Sequence, residues 1–150
     1  MPRSPRVARL AGLLMLAAAA LTGTAATAAP KRAKGPDWAL ARTAFVGAPP
    51  LELDENLLFA CSATWNLWMQ ALEGGKVKVP TGALPPQLLE PRASETAADW
   101  GLYLIDSDEA FEAHQLAEKQ LAPELARVQA GDAKAARAWF TRLGTCKVPD

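Results

Sequence analysis

The stretch that decides the fold is residues 54–73, DENLLFACSATWNLWMQALE. Its apolar side chains recur at three- and four-residue spacing, which is typical of one face of an α-helix. Asp54 is a favourable N-cap, and Gly74 follows as a stop signal. The pattern therefore predicts a core helix over 54–73, whose inward face carries Leu57, Leu58, Cys61, Trp65, Trp68, Met69 and Leu72.

A second, shorter helix is predicted before the core helix, over 37–46, with Asp37 as its cap. The segment 74–93 differs in character, because proline and glycine interrupt it repeatedly. Within this connector, KVKV at 76–79 alternates like a short strand, and residues 87–89 favour a turn.

Helical patterns return after the connector. Ser94 is predicted to cap a helix over 94–105. A longer helix is predicted from Asp106, which has capping-box spacing to Glu109, and Pro123 either kinks this helix or precedes a new one. The last helix starts after Asp132 and is expected to end before residue 144. Together these segments predict an all-α fold class, a small bundle of four or five helices with a long Pro/Gly-rich connector.

The N-terminal segment has the order of a secretory signal peptide. A basic start with three arginines is followed by an apolar stretch of about a dozen residues over 10–21 and by a small-residue tail. A membrane-spanning helix needs roughly 20 apolar residues, so an uncleaved anchor is disfavoured. Cleavage is predicted after Ala28. The organisation expected is a signal peptide over 1–28, a flexible arm over 29–36 and one helical domain over 37–150, located in the periplasm or outside the cell.

Cys61 and Cys146 are the two cysteines of the chain, and both follow the predicted cleavage point. An even pair in an exported protein predicts a disulfide. Residues 29–150 contain 13 Lys and Arg against 16 Asp and Glu. This weakly negative balance argues against nucleic acid or an anionic membrane as the partner. No later stretch suggests a membrane span, and the oligomeric state is left open.

The residues of common catalytic and metal sites are scarce. His114 is the single histidine, whereas zinc sites need several Cys or His ligands at suitable spacing. It is expected at the boundary of its helix face, with one nitrogen in water. The acidic groups at 52–55 and 106–112 coincide with predicted helix starts and lack the central glycine of a calcium loop. We therefore predict no metal and no cofactor.

Tryptophans form the main candidates for binding. Such side chains either fill the core or line a groove for a ligand or partner. Trp38, next to the predicted arm, is expected to be the most exposed. The candidate binding residues are Trp38, Trp65, Trp68, Trp100, Trp139 and His114.

One remote alternative involves haem. Met69 and His114 are each predicted on the inner face of a helix. In these two residue types the chain resembles small exported four-helix bundles that bind b-type haem through a Met and a His. That family takes its ligands from the first and last helices, so the helix placement here differs.

These observations predict an exported protein that acts by binding, with an envelope protein or an apolar ligand as its partner. The competing class is a small periplasmic enzyme that pairs His114 with a carboxylate of the connector, such as Glu90. A third class is a purely structural or stress-induced protein without a specific ligand.

Overall fold

The computed structural model describes residues 35–52, 55–102 and 107–147, which all belong to one compact unit. This part of the chain contains five α-helices and no β-strand, so the all-α prediction is confirmed. The predicted signal peptide, most of the arm and the predicted caps Asp54 and Asp106 lie outside the described residues. The helices are α1 (Trp38–Val46), α2 (Glu55–Glu73), α3 (Arg92–Leu102), α4 (Asp108–Gln129) and α5 (Ala133–Thr145), with a short 3₁₀ helix at Pro86–Leu88.

Helix α2 lies at the centre of the packing. It contacts α3, α4 and α5, while α5 also packs against α1 and α4. The predicted inward face of α2 is confirmed, since Cys61, Trp65 and Trp68 are buried and the other members are half-buried against the core. None of the helices in the described ranges is both long and apolar enough to cross a membrane.

The predicted disulfide is confirmed. Cys61 on α2 and Cys146 just beyond α5 are joined with an S–S distance of 1.99 Å, and both are fully buried. The bridge spans a sequence separation of 85 residues. It therefore fastens the end of the last helix to the central helix.

Indole N–H groups reinforce this fastening. Trp65 of α2 and Trp100 of α3 both donate through Nε1 to the carbonyl oxygen of Cys146, at 2.7 and 2.9 Å. Trp68 donates to the carbonyl of Leu88 at 3.0 Å. Because buried donors cost free energy unless they are paired, these bonds fix the end of α5 and the 3₁₀ turn of the connector onto the core.

Gly144 lies inside α5, so the prediction that the helix ends before it is wrong. A Cβ atom at this position would lie 2.3 Å from the carbonyl oxygen of Phe45 and 2.6 Å from the Cβ of Ala48. Neither distance is compatible with a side chain. Glycine is present here because the end of α1 approaches the backbone of α5, and not because a helix has to stop.

Two other helix boundaries differ from the predicted ones. Helix α3 begins at Arg92, and the carbonyl of Pro91 already accepts from the Glu95 N–H, so Ser94 is an internal residue. Its hydroxyl donates instead to Glu90 Oε2 at 2.6 Å. Helix α4 continues through Pro123 without a new start, and its N-cap is Ser107, which accepts from the Ala110 N–H.

The strand-like alternation at 76–79 does not form a strand. The backbone N–H groups of Lys76 and Val77 both donate to the carbonyl of Ala71, at 3.0 and 3.1 Å. The end of α2 therefore uses the donors that a strand would offer to a partner. The alternation nevertheless has a structural consequence, since Val77 is buried while Lys76 and Lys78 are exposed.

Asp132 caps α5 as predicted, accepting from the Ala135 N–H at 3.0 Å. That hydrogen bond, more than the nearby Lys134 and Arg127, holds the pKa of the Asp132 carboxyl below its ordinary value. A lowered folded pKa means that the ionised cap stabilises the fold above the ordinary Asp range and loses this effect as the pH falls through the folded pKa.

We therefore expect Asp132→Ala to lower the melting temperature by a few degrees at neutral pH, because the first turn of α5 loses its capping acceptor. The difference from the wild-type protein should shrink as the pH falls below the ordinary Asp range. Thermal unfolding followed by circular dichroism across this range tests both points. Asp132→Asn is the control. Its neutral amide also caps the helix, and the stabilisation that this amide provides should not vary with pH. A pH-independent deficit in Asp132→Ala would contradict the role assigned to the carboxylate.

Candidate functional site

A polar cluster joins α2 to α4. Asn66 on α2 donates from Nδ2 to Glu118 Oε1, and His114 Nε2 lies 3.3 Å from the same oxygen. His114 is 7% exposed, and its Nδ1 is buried with no hydrogen-bond partner among the described residues. His114 is therefore more buried than the boundary position expected for it, because α2 packs over this face of α4.

The structure assigns Glu90 and His114 to different surroundings. Glu90 lies in the connector and accepts from Ser94, whereas His114 faces Glu118. Met69, the other residue of the haem alternative, is half-buried and packs against the core. Glu90 is therefore an exposed connector residue, whereas His114 and Met69 are parts of the packed bundle, and none of these contacts favours the enzyme or the haem alternative.

Four of the candidate tryptophans lie in the core. Trp65, Trp68, Trp100 and Trp139 are 0–3% exposed, which leaves these rings no surface for a docked ligand in this conformation. Of the two interpretations of these tryptophans, core filling and groove lining, core filling agrees with their positions. Trp68 also contacts Phe140 edge-on, with ring centroids 5.1 Å apart.

Trp38 is the exception among the tryptophans. It is half-buried at the start of α1, and the edge contact of its ring with Phe140, with centroids 6.4 Å apart, holds it in place. An exposed part of a fixed aromatic ring can stack on a ligand at little cost in conformational entropy. Among the predicted binding residues, Trp38 lies in the wall of a surface pocket formed by described residues.

Two adjoining surface pockets share Lys76 and Gln129 in their walls, and together we call them the lysine groove. One pocket, of about 280 Å³, lies between the start of α1 and the turn after α2. The other, of about 220 Å³, lies between α2 and α4. The first is lined by Gly35, Pro36, Trp38, Gly75, Lys76, Val77, Lys78 and Gln129, and the second by Leu67, Gln70, Ala71, Lys76, Ala122, Leu125, Ala126 and Gln129.

The groove is cationic and partly apolar. Lys76 and Lys78 are its charged lining residues, and no described residue in either wall carries a carboxylate. Gln70 and Gln129 add amide groups that both donate and accept hydrogen bonds. The wall between α2 and α4 is otherwise made of leucine and alanine.

Of the residues that line the groove, the sequence pointed to Trp38 but not to the two lysines or Gln129. The signal for the lysines was present in KVKV at 76–79, where a buried valine separates two exposed cations. That alternation resembles a strand, but here it belongs to a turn that buries one side chain and directs its neighbours outward. Nothing in the local sequence singles out Gln129, which joins the groove only through the packing of α4 against α2.

Comparison with known proteins found no relative of this chain. No protein-family model, curated protein or solved structure matches this chain. The function is therefore inferred from the lysine groove itself.

Proposed function

We propose that the protein is an exported, non-enzymatic binding protein that holds an envelope polypeptide in the lysine groove. Two adjoining pockets with a shared wall at Lys76 and Gln129 carry the proposal. An extended chain crossing that wall can place one side chain in each pocket, because side chains two residues apart in an extended segment point to the same side.

The size of the pockets favours a polypeptide over an apolar small molecule. Sites for small ligands are typically about 300–1,000 Å³ and bury most of the ligand. The two pockets measure about 280 and 220 Å³. Each suits a single side chain better than a whole apolar ligand, while the four tryptophans considered as lining for a ligand groove are packed in the core.

Export is supported by the order of basic, apolar and small residues over 1–28 and by the disulfide. Disulfides form and persist in oxidising compartments such as the periplasm. The proposed place of action is therefore outside the cytoplasm, where an envelope protein is accessible as a partner.

Site-specific photocrosslinking tests the groove. We expect a photoreactive phenylalanine derivative at position 129 to yield a discrete adduct in native envelope extract. The same residue at position 95, exposed on α3 and outside the groove, should yield no such adduct. Excess unlabelled wild-type protein should suppress the adduct by competition.

Two matched variants, used as unlabelled competitors, test whether the groove itself is the binding surface. Ala126→Trp fills the pocket between α2 and α4 and should fail to compete. Ala98→Trp makes the same change at an exposed position of α3 and should compete like the wild-type protein. If Ala126→Trp competes fully, or if positions 95 and 129 give the same adducts, the groove is not the binding surface. A protein without a specific partner would give no adduct at either position.

A further inference from the structure

Resting on the proposed function, we infer that the segment held in the lysine groove is acidic and carries one apolar anchor side chain. The carboxylates would pair with Lys76 and Lys78, and the anchor would occupy the pocket between α2 and α4. The charge of the groove, the shape of its apolar wall and the fixed position of Trp38 carry this inference.

The charge of the groove has the opposite sign to the net charge of residues 29–150. Residues 29–150 have three more acidic than basic residues, yet the charged lining residues of the groove are both lysines. Complementary charges steer association and exclude wrong partners. An acidic segment fits this local excess of positive charge.

The pocket between α2 and α4 supplies the apolar anchor site. Leu67 of α2 and Leu125 of α4 form part of its wall, and Ala71, Ala122 and Ala126 keep the rest of the wall short. Small side chains on facing helices leave a concave space, here about 220 Å³. An apolar side chain placed in it gains by leaving water, which a purely polar acidic segment does not.

Trp38 gives the other end of the groove a rigid surface. Its ring is held edge-on against Phe140, and it lines the same pocket as Lys76 and Lys78. A flat aromatic surface beside two cations suits a peptide whose backbone or proline ring lies on the indole while its carboxylates face the lysines. The inferred order along the occupant is therefore an acidic part near Trp38 and an apolar side chain near Ala126.

A nucleic acid or an anionic bilayer would need a broader basic face. Two lysines next to an apolar pocket form a small mixed surface, which favours a short polypeptide segment. Binding to anionic vesicles would therefore contradict the inference.

Fluorescence anisotropy with synthetic probes tests the inference. The probe is a fluorescently labelled, end-blocked decapeptide of glutamates with one proline and one leucine. We expect it to bind the oxidised protein with an affinity that falls as salt is added. Lys76→Glu/Lys78→Glu should weaken binding at least tenfold. Lys119→Glu/Lys134→Glu makes the same charge change at exposed positions outside the groove and should bind within twofold of the wild-type protein.

Further probes separate the anchor from the charge. Replacing the leucine of the peptide by serine should weaken binding several-fold in the wild-type protein but not in Ala126→Trp, where the pocket is already filled. A matching peptide of lysines should not bind. Equal binding by the two charge-reversal variants, binding of the lysine peptide, or displacement of the probe by vesicles with anionic lipid would each overturn the inference.

The two proposals fail in distinguishable ways. If Ala126→Trp abolishes the photocrosslinked adduct while Lys76→Glu/Lys78→Glu leaves it unchanged, the groove binds a polypeptide that is not acidic. If neither change affects the adduct, the proposed function is itself wrong.

Discussion

Reduction of the Cys61–Cys146 disulfide is expected to lower the free energy of unfolding by up to about 4–5 kcal/mol. The bridge closes a sequence separation of 85 residues, and its loss allows the unfolded chain many more conformations. Single domains of this size are stable by only about 5–15 kcal/mol. Reduction should therefore remove a large share of the stability of the fold.

The native state supplies a second reason for a large effect. The carbonyl of Cys146 accepts from the buried indoles of Trp65 and Trp100. If the released end of α5 moves away, both donors lose their partner inside the core. A buried donor left unpaired costs about 1–3 kcal/mol. The disulfide and these hydrogen bonds therefore stabilise the same junction of α2, α3 and α5.

Urea unfolding followed by circular dichroism, with and without reductant, measures the effect. Cys61→Ala/Cys146→Ala is the matched control, because it lacks the bridge under both conditions. Its midpoint should be insensitive to reductant and close to that of the reduced wild-type protein. A wild-type midpoint that does not change on reduction would show that the bridge adds little to stability, and would weaken the argument from the disulfide to an oxidising compartment.

Gly144→Ala is expected to destabilise the protein by about 2–3 kcal/mol, although alanine is the better helix former. The added Cβ would lie 2.3 Å from the Phe45 carbonyl oxygen and 2.6 Å from the Ala48 Cβ. One of these contacts is with backbone, so a rotamer change cannot relieve it. The end of α1 would have to separate from α5, which disrupts the packing of Phe45.

Gly101→Ala is the matched control for this prediction. Gly101 also lies in a helix, α3, but a Cβ there would meet no described heavy atom within 4 Å apart from its chain neighbours and the adjacent backbone of its own helix. The control change should therefore stabilise the protein by up to about 1 kcal/mol through helix propensity alone. Opposite signs for the two substitutions in denaturant unfolding are the expected result. A stabilising Gly144→Ala would contradict the close approach of α1 to α5.

Local signals predicted the elements well where the determinants lie within a few residues. The apolar stripe of α2 and the caps Asp37 and Asp132 depend on neighbours at three- and four-residue spacing. The predicted helix boundaries were wrong where a side chain that can cap a helix makes a different hydrogen bond instead. Ser94 has the side chain of a good cap but donates to Glu90, one turn earlier, inside a helix that has already begun.

The candidate site could be predicted only in part, for the same reason. Trp38 was identified because it lies next to the predicted flexible arm. The lysines at 76 and 78 lie in a connector whose conformation the local pattern left open, since the alternation of KVKV does not reveal that the Ala71 carbonyl accepts from the N–H groups of Lys76 and Val77. The burial of His114 depends on α2, which is distant in sequence.

The sequence by itself determined the helical class, the central helix and the pairing of Cys61 with Cys146, because helical periodicity is local and two cysteines allow a single intrachain bridge. Tertiary structure alone decided that Gly144 is a contact point and that Lys76 and Gln129 share a groove wall. Those properties depend on which surfaces of distant helices meet, and that is set by the packing of the whole core.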